Sequence, residues 1–162
     1  MKRLENKIAL ITGGNSGIGL ATAQLFARHG AQVIVTARRQ AMLDQAVESI
    51  GHGAIGIRGD VADIEHHAAV ADEVRRRFGS LDVYMANAGV LTITGSAQVS
   101  PSEFDAQFAV NARGVFFGVQ AMTPIMREGG SIIVTSSAAL GTTFRIDIPM
   151  DARPFSGAPV VN

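Results

Sequence analysis

Short apolar, β-branched runs alternate along the chain with longer segments whose apolar residues recur at helical spacing, a pattern that predicts parallel strands covered by helices. Residues 7–12 (Lys-Ile-Ala-Leu-Ile-Thr) and 32–37 (Gln-Val-Ile-Val-Thr-Ala) have the nearly continuous apolar character of strands buried on both faces. Between them Ile18, Ala21, Leu25 and Phe26 mark one face of a helix, with Gly30 placed to end it. Helices are expected over 41–50 and 64–78, the second burying Ile64, Ala68, Ala71, Val74 and Phe78, and strands over 54–58 and 81–86. Ser100 reads as an N-cap, followed by Pro101 at the first helical position and Glu103 beside the positive end of the dipole. Val115, Phe116, Val119, Met122 and Met126 continue a helical period expected to end near Gly129-Gly130, ahead of a fifth strand at 131–135. Five strands with four or five helices predict an α/β fold, an open, doubly wound parallel sheet.

From Gly141 onward the periodicity disappears, and three prolines fall at 149, 154 and 159. The expected organisation is one domain over 1–141 and an irregular tail over 142–162. A chain of 162 residues suffices for one compact core. The net charge is zero, which gives no electrostatic reason to expect nucleic acid or a membrane surface as a partner. Cysteine is absent, which excludes disulfides, thiolate catalysis and cysteine metal sites and suits a reducing compartment. The apolar run after the polar first seven residues is only Ile8-Ala9-Leu10-Ile11, too short for a signal-peptide core or a span, and a cytoplasmic address is expected.

The chemistry-bearing motif is Thr12-Gly13-Gly14-Asn15-Ser16-Gly17-Ile18-Gly19, which leaves a strand and opens a helix. In that setting Gly13 permits a tight turn, Gly17 lets backbone approach a pyrophosphate, and Gly19 lets the helix pack closely on the strand. The phosphates then sit on unpaired amides at the positive end of the helix. At the end of the second strand an acidic residue would bind the 2′-hydroxyl of NAD, whereas this chain has Ala37 followed by Arg38-Arg39. A guanidinium matches phosphate bidentately, so NADP is favoured, with NAD as the alternative.

The segment from Thr12 to Gly19 resembles the Thr-Gly-x-x-x-Gly-x-Gly motif of the short-chain dehydrogenase/reductase (SDR) family. Further signatures follow in the family's order: Asp60-Val61, Asn87-Ala88-Gly89, Asn111-Ala112-Arg113-Gly114, and Ser131 to Ser137, which resembles the strand ending in the family's serine. The resemblance covers about 5–141 and implies a Rossmann-type fold and an oxidoreductase that moves hydride between NADP(H) and a small-molecule alcohol or ketone. It further implies that Gly13, Ser16, Gly17, Ile18 and Gly19 hold the pyrophosphate and that Asp60 and Val61 contact adenine. Asn87, Ala88 and Gly89 then lie beside the cofactor ribose, Asn111 serves the proton relay, and Ser137, rather than its neighbour Ser136, binds the substrate oxygen. Family members commonly dimerise, which makes self-association an expectation.

The family's Tyr-x-x-x-Lys pair, expected about a dozen residues beyond the serine, has no counterpart. That stretch contains Met150-Asp151-Ala152-Arg153-Pro154, the only tyrosine is Tyr84, and the only lysines are Lys2 and Lys7. The chain is therefore expected to be truncated before that motif and catalytically impaired; a non-catalytic nucleotide-binding fragment, from truncation or a frame change, is the alternative. Asp147 and Asp151 read as surface carboxylates rather than substitute bases, and Tyr84 reads as core. His66-His67 reads as a solvated helix start with no metal-ligand spacing, and Arg75-Arg76-Arg77 beside Asp72 and Glu73 reads as an exposed, ion-paired face.

Overall fold

In a computed structural model, the described residues are 2–93, 95, 97–135 and, for the backbone, 144–147. Their strands are β1 (Ile8–Thr12), β2 (Gln32–Ala37), β3 (Ile55–Arg58), β4 (Leu81–Ala86), β5 (Met126–Val134) and β6 (Phe144–Asp147). The helices are α1 (Gly17–Arg28), α2 (Gln40–Ile50), α3 (Ile64–Phe78), α4 (Pro101–Phe108) and α5 (Gly114–Met122). The sheet order is β3-β2-β1-β4-β5-β6, with the first five strands parallel and β6 antiparallel to β5.

Alternation along these strands feeds two cores. Leu10, Ile34, Tyr84 and Ile132 are successive partners across the sheet and pack with Val70, Ala71 and Val74 of α3 and Met122 of α5. Ala9, Ile11, Val33, Val35 and Met85 face the other way, against Ala23 and Ala27 of α1 and Leu43 and Ile50 of α2. Tyr84 is a core residue, as expected, and burial pushes its phenol pKa upward. At the N-terminal edge of the sheet the buried Asp82 carboxylate accepts from Lys7 Nζ at 3.0 Å and from the Ile8 amide at 2.9 Å, fastening the start of β1 to β4.

Four details differ from the sequence-based expectation. In α1 the buried residues are Gly19, Ala23 and Ala27, whereas Ile18 and Leu25 are exposed, because the helix approaches the sheet on its small side chains and turns Ile18 toward the cleft described below. In α3 the buried face is His67, Val70, Ala71 and Val74, with Ile64 and Ala68 exposed. His67 is thus a core side chain rather than part of a solvated helix start. The helix expected to run to Gly129-Gly130 ends at Met122 and passes through a 3₁₀ turn at Thr123–Ile125 into β5. Pro124 has no amide to continue the α-helical ladder. Met126 already pairs with Leu81, and residues 127–130 form an irregularity before Ser131 pairs with Val83.

The fourth difference is β6, which lies in the tail expected to be irregular; the rest of 136–162 lies outside the described residues. Phe144-Arg145-Ile146-Asp147 alternates apolar and polar residues, the pattern of a strand with one covered face. It pairs from Ser131↔Asp147 to Val134↔Phe144 and so covers the backbone edge of β5. A chain cut after Gly141 is expected to self-associate through that edge, giving rising light scattering at concentrations where the intact chain stays clear. Equal scattering from the two chains would show that β6 does not protect the sheet.

Candidate functional site

The C-terminal ends of β1, β2, β3 and β4 open into one cleft of about 430 Å³, lined by Gly13, Asn15, Ser16, Ile18, Thr36, Ala37, Arg38, Arg39, Gly59, Asp60, Val61, Asn87, Ala88, Gly89, Val90 and Val110. A crevice outside the carboxyl ends of the strands, where the strand order reverses, is where ligands bind in open α/β sheets.

Of the four glycines in the loop, Gly13, Gly14 and Gly19 are packed against their surroundings and Gly17 is open. Gly13 has φ +65°, and a Cβ there would lie 2.9 Å from the Ala88 Cα. A Cβ at Gly19 would lie 2.5 Å from both the Gly13 carbonyl and Asn87 Nδ2. Gly17 has φ +53° and nothing within 4 Å of its Cβ position, so the space beside it at the head of α1 is open. Ser16 holds the N-cap position in extended conformation, and its hydroxyl makes no capping bond. The first amides of α1 are thus left for an external acceptor, and with the open position at Gly17 they fit a nucleotide pyrophosphate.

Thr12 fastens the loop to the end of β4. Its Oγ1 accepts from the Asn87 and Ala88 amides, both at 3.0 Å. The Asn87 side chain returns the contact, with Nδ2 donating to the carbonyls of Thr12 at 3.0 Å and Gly13 at 3.3 Å. Thr135 Oγ1 donates to Asn87 Oδ1 at 3.2 Å, drawing the end of β5 into the same cluster. Asn111 lies in a π-helical turn, Ala109–Arg113, between α4 and α5. Its Oδ1 accepts from the Val90 amide at 2.9 Å and its Nδ2 donates to the Val90 carbonyl at 2.7 Å, fixing the residue after Asn87-Ala88-Gly89.

Arg38 stands at the β2 end of the cleft with its Nη1 3.8 Å from Asp60 Oδ2. Arg39 lines the same end, and Arg58 Nε donates to the Arg38 carbonyl at 3.3 Å. Below this loop His67 Nε2 donates to the Val61 carbonyl at 2.8 Å, which assigns the proton of the neutral ring to Nε2. Burial pushes the His67 pKa below the ordinary 6.5 and outweighs the opposing effects of the Val61 bond and Asp63. His66 is lowered by burial and then by His67, against the pull of Asp63 and Asp60.

A group with a depressed folded-state pKa binds fewer protons in the folded chain, so its stabilising contribution is present above pH 6.5 and is lost as pH falls toward the folded value. Melting temperature is expected to fall between pH 7 and pH 5 (about two units spanning the histidine range), more steeply than in a His67→Gln variant, which keeps a donor toward Val61 but cannot titrate. Identical slopes would exclude His67 as a contributor.

The structure thus brings together Gly13, Ser16, Ile18, Arg38, Asp60, Val61, Asn87, Ala88 and Gly89 around one cleft. Gly17 and Gly19 are not among its lining residues but lie in the first turn of α1 beside Ser16 and Ile18, which are, and Asn111 reaches it through Val90. Ser137 and Asp151 lie outside the described residues, as do the side chains of 144–147, Asp147 among them. Thr12 and Arg58 had no individual role in the sequence reading, and His67 was read there as part of a solvated helix start. A polar residue closing an otherwise apolar strand signals Thr12. His67 is found by treating it as apolar, because His67, Val70, Ala71 and Val74 keep i, i+3, i+4, i+7 spacing.

A sequence profile described as short chain dehydrogenase matches residues 7–145. Versicolorin reductase 1 of Aspergillus parasiticus is 43% identical over 139 residues, 83% of this chain and 53% of that protein. A short chain dehydrogenase from Burkholderia cenocepacia, solved in complex with NADP, superposes with a TM-score of 0.76 at 36% identity, covering 84% of this chain and 57% of that one. A Brucella melitensis structure described as a short-chain dehydrogenase/reductase of the glucose/ribitol dehydrogenase type gives a TM-score of 0.82 at 29% identity, over 86% and 60% of the two chains. The chain spans about half the length of the curated relatives it matches. It belongs to the short-chain dehydrogenase family and has that family's Rossmann-type fold. Among the described residues no helix is long and apolar enough to cross a membrane.

Proposed function

We propose that this chain supplies the NADP(H)-binding part of an oxidoreductase that moves hydride between the cofactor and a small alcohol or ketone. The observation that carries this reading is the uncapped head of α1, where Ser16 and Ile18 line the cleft, with Arg38 across the same cleft. Gly13, Ser16, Gly17, Ile18 and Gly19 would hold the pyrophosphate, Asp60 and Val61 the adenine, Arg38 the 2′-phosphate, and Asn87, Ala88 and Gly89 the ribose side. Asn111 and Ser137 are the residues proposed to face the reacting groups. The NADP complex of the Burkholderia cenocepacia relative supports the cofactor class.

Titration calorimetry is expected to show tighter binding of NADP than of NAD, and Arg38→Ala is expected to cost NADP about 10- to 100-fold while sparing NAD, the range of a hydrogen bond to a charged group. Tighter NAD binding, or a preference that survives Arg38→Ala, would overturn the assignment.

A second reading, nucleotide binding without turnover by these 162 residues, is favoured by the burial of Tyr84 and by the engagement of Lys7 with Asp82 at the other end of β1. Self-association is proposed through exposed aromatic side chains, the stacked Phe104 and Phe108 of α4 and Phe116 of α5.

A further inference from the structure

Asp60 is held by its own turn. Its Oδ1 accepts from the Ala62 amide at 2.9 Å and its carbonyl accepts from the Asp63 amide at 3.0 Å, so the carboxylate is locked in place with Oδ2 directed to Arg38. Arg38 is anchored from the other side, where its carbonyl receives Arg58 Nε. The guanidinium that faces the cleft therefore already has an anionic partner, one whose position the turn dictates rather than Arg38 itself.

We propose that Asp60 is the resident counter-anion of Arg38, which a ligand's 2′-phosphate displaces on binding, so that Asp60 sets how strongly this chain prefers phosphorylated ribose. The inference rests on the assignment of Arg38 to the 2′-phosphate. A phosphomonoester carries about −1.5 to −2 charges near pH 7 and offers three oxygens, against one charge and a single remaining oxygen on Asp60. The exchange therefore runs toward phosphate. A 2′-hydroxyl carries no charge and leaves Arg38 with Asp60. Because both partners are substantially exposed, the pair is screened and its removal has a modest effect.

The test compares 2′,5′-ADP with 5′-AMP by titration calorimetry, on the intact chain and on Asp60→Asn, Arg38→Ala and the double variant. Asparagine keeps the oxygen that caps Ala62 and removes only the charge; if that variant does not fold, Asp60→Ser keeps a cap of the same kind. Using the ratio of the two ligands cancels any change in adenine contacts. Asp60→Asn is expected to raise the 2′,5′-ADP over 5′-AMP ratio by about 1.5- to 5-fold, and to raise it not at all when Arg38 is already alanine. An unchanged or lower ratio overturns the proposal. An equal gain in the Arg38→Ala background also overturns it, since plain repulsion between Asp60 and phosphate would then suffice. A preference for 2′,5′-ADP that depends on Arg38 but ignores Asp60 sinks this inference alone, whereas no preference in the intact chain sinks the NADP assignment with it.

Discussion

Supplied with NADPH and a panel of ketones, the 162-residue chain is expected to turn over at about 0.1 per second or slower, two or more orders of magnitude below a typical enzyme. Reducing a ketone requires a proton delivered to the developing alkoxide, and a positioned acid contributes about 10²- to 10⁴-fold, or roughly 3 to 5 kcal/mol of barrier. The only phenol, Tyr84, is 1% exposed on β4, packed in the core between the sheet and α3 and α5, and its raised pKa makes it a still poorer acid. Of the two lysines, Lys7 precedes β1 while the cleft lies beyond Thr12, roughly 16 Å away along a strand at 3.3 Å per residue, and Lys2 stands five positions earlier still. Neither lysine can tune a group in the cleft. NADPH oxidation above about one per second, unaffected by Ser137→Ala, would show that another group supplies the proton.

How much of this was legible in the sequence follows from which physical signal each residue carries. The bounds of α3 and β4 agree with the sequence reading because they rest on strong local punctuation: Asp63 caps α3 by accepting from the Glu65 amide, and Gly79, at φ +78°, ends it. Ser100 and Glu103 form a reciprocal capping box, again local. What failed is tertiary. Periodicity in α1 selected the largest apolar residues, but the close approach at Gly19 gives the sheet-facing positions to alanines and leaves Ile18 for the cleft. The α3 stripe slipped because a histidine with a fixed acceptor counts as core, and although Phe144 and Ile146 are apolar enough to cover the exposed β5, four alternating residues are too few to mark a strand on their own. Of the cleft residues, Gly13 was legible because close backbone approach requires glycine, Arg38 from its charge at the end of β2, and Asp60, Val61 and Asn87-Ala88-Gly89 only through the resemblance to the family.

Replacing Thr12 by valine is expected to destabilise the chain by about 2 to 4 kcal/mol, because a nearly isosteric methyl would face two backbone amides, those of Asn87 and Ala88, with no acceptor in the fold's place. Each buried donor left unsatisfied costs about 1 to 3 kcal/mol, and solvent reaching the half-buried Asn87 offsets part of that cost. For a domain of this length the change corresponds to a fall in melting temperature of roughly 5 to 15 °C. The effect reaches the cleft, because these bonds hold Asn87, Ala88 and Gly89 against the Gly13 turn, where the Ala88 Cα sits so close that Gly13 admits no side chain. Dinucleotide affinity should therefore weaken in Thr12→Val even at temperatures where the chain is fully folded. Thr12→Ser separates the hydroxyl from the methyl group: it keeps the acceptor and is expected to cost under about 1.5 kcal/mol, the scale of losing one buried methyl. If serine and valine variants melt together, the hydroxyl bridge between β1 and β4 does not hold the two halves of the cleft.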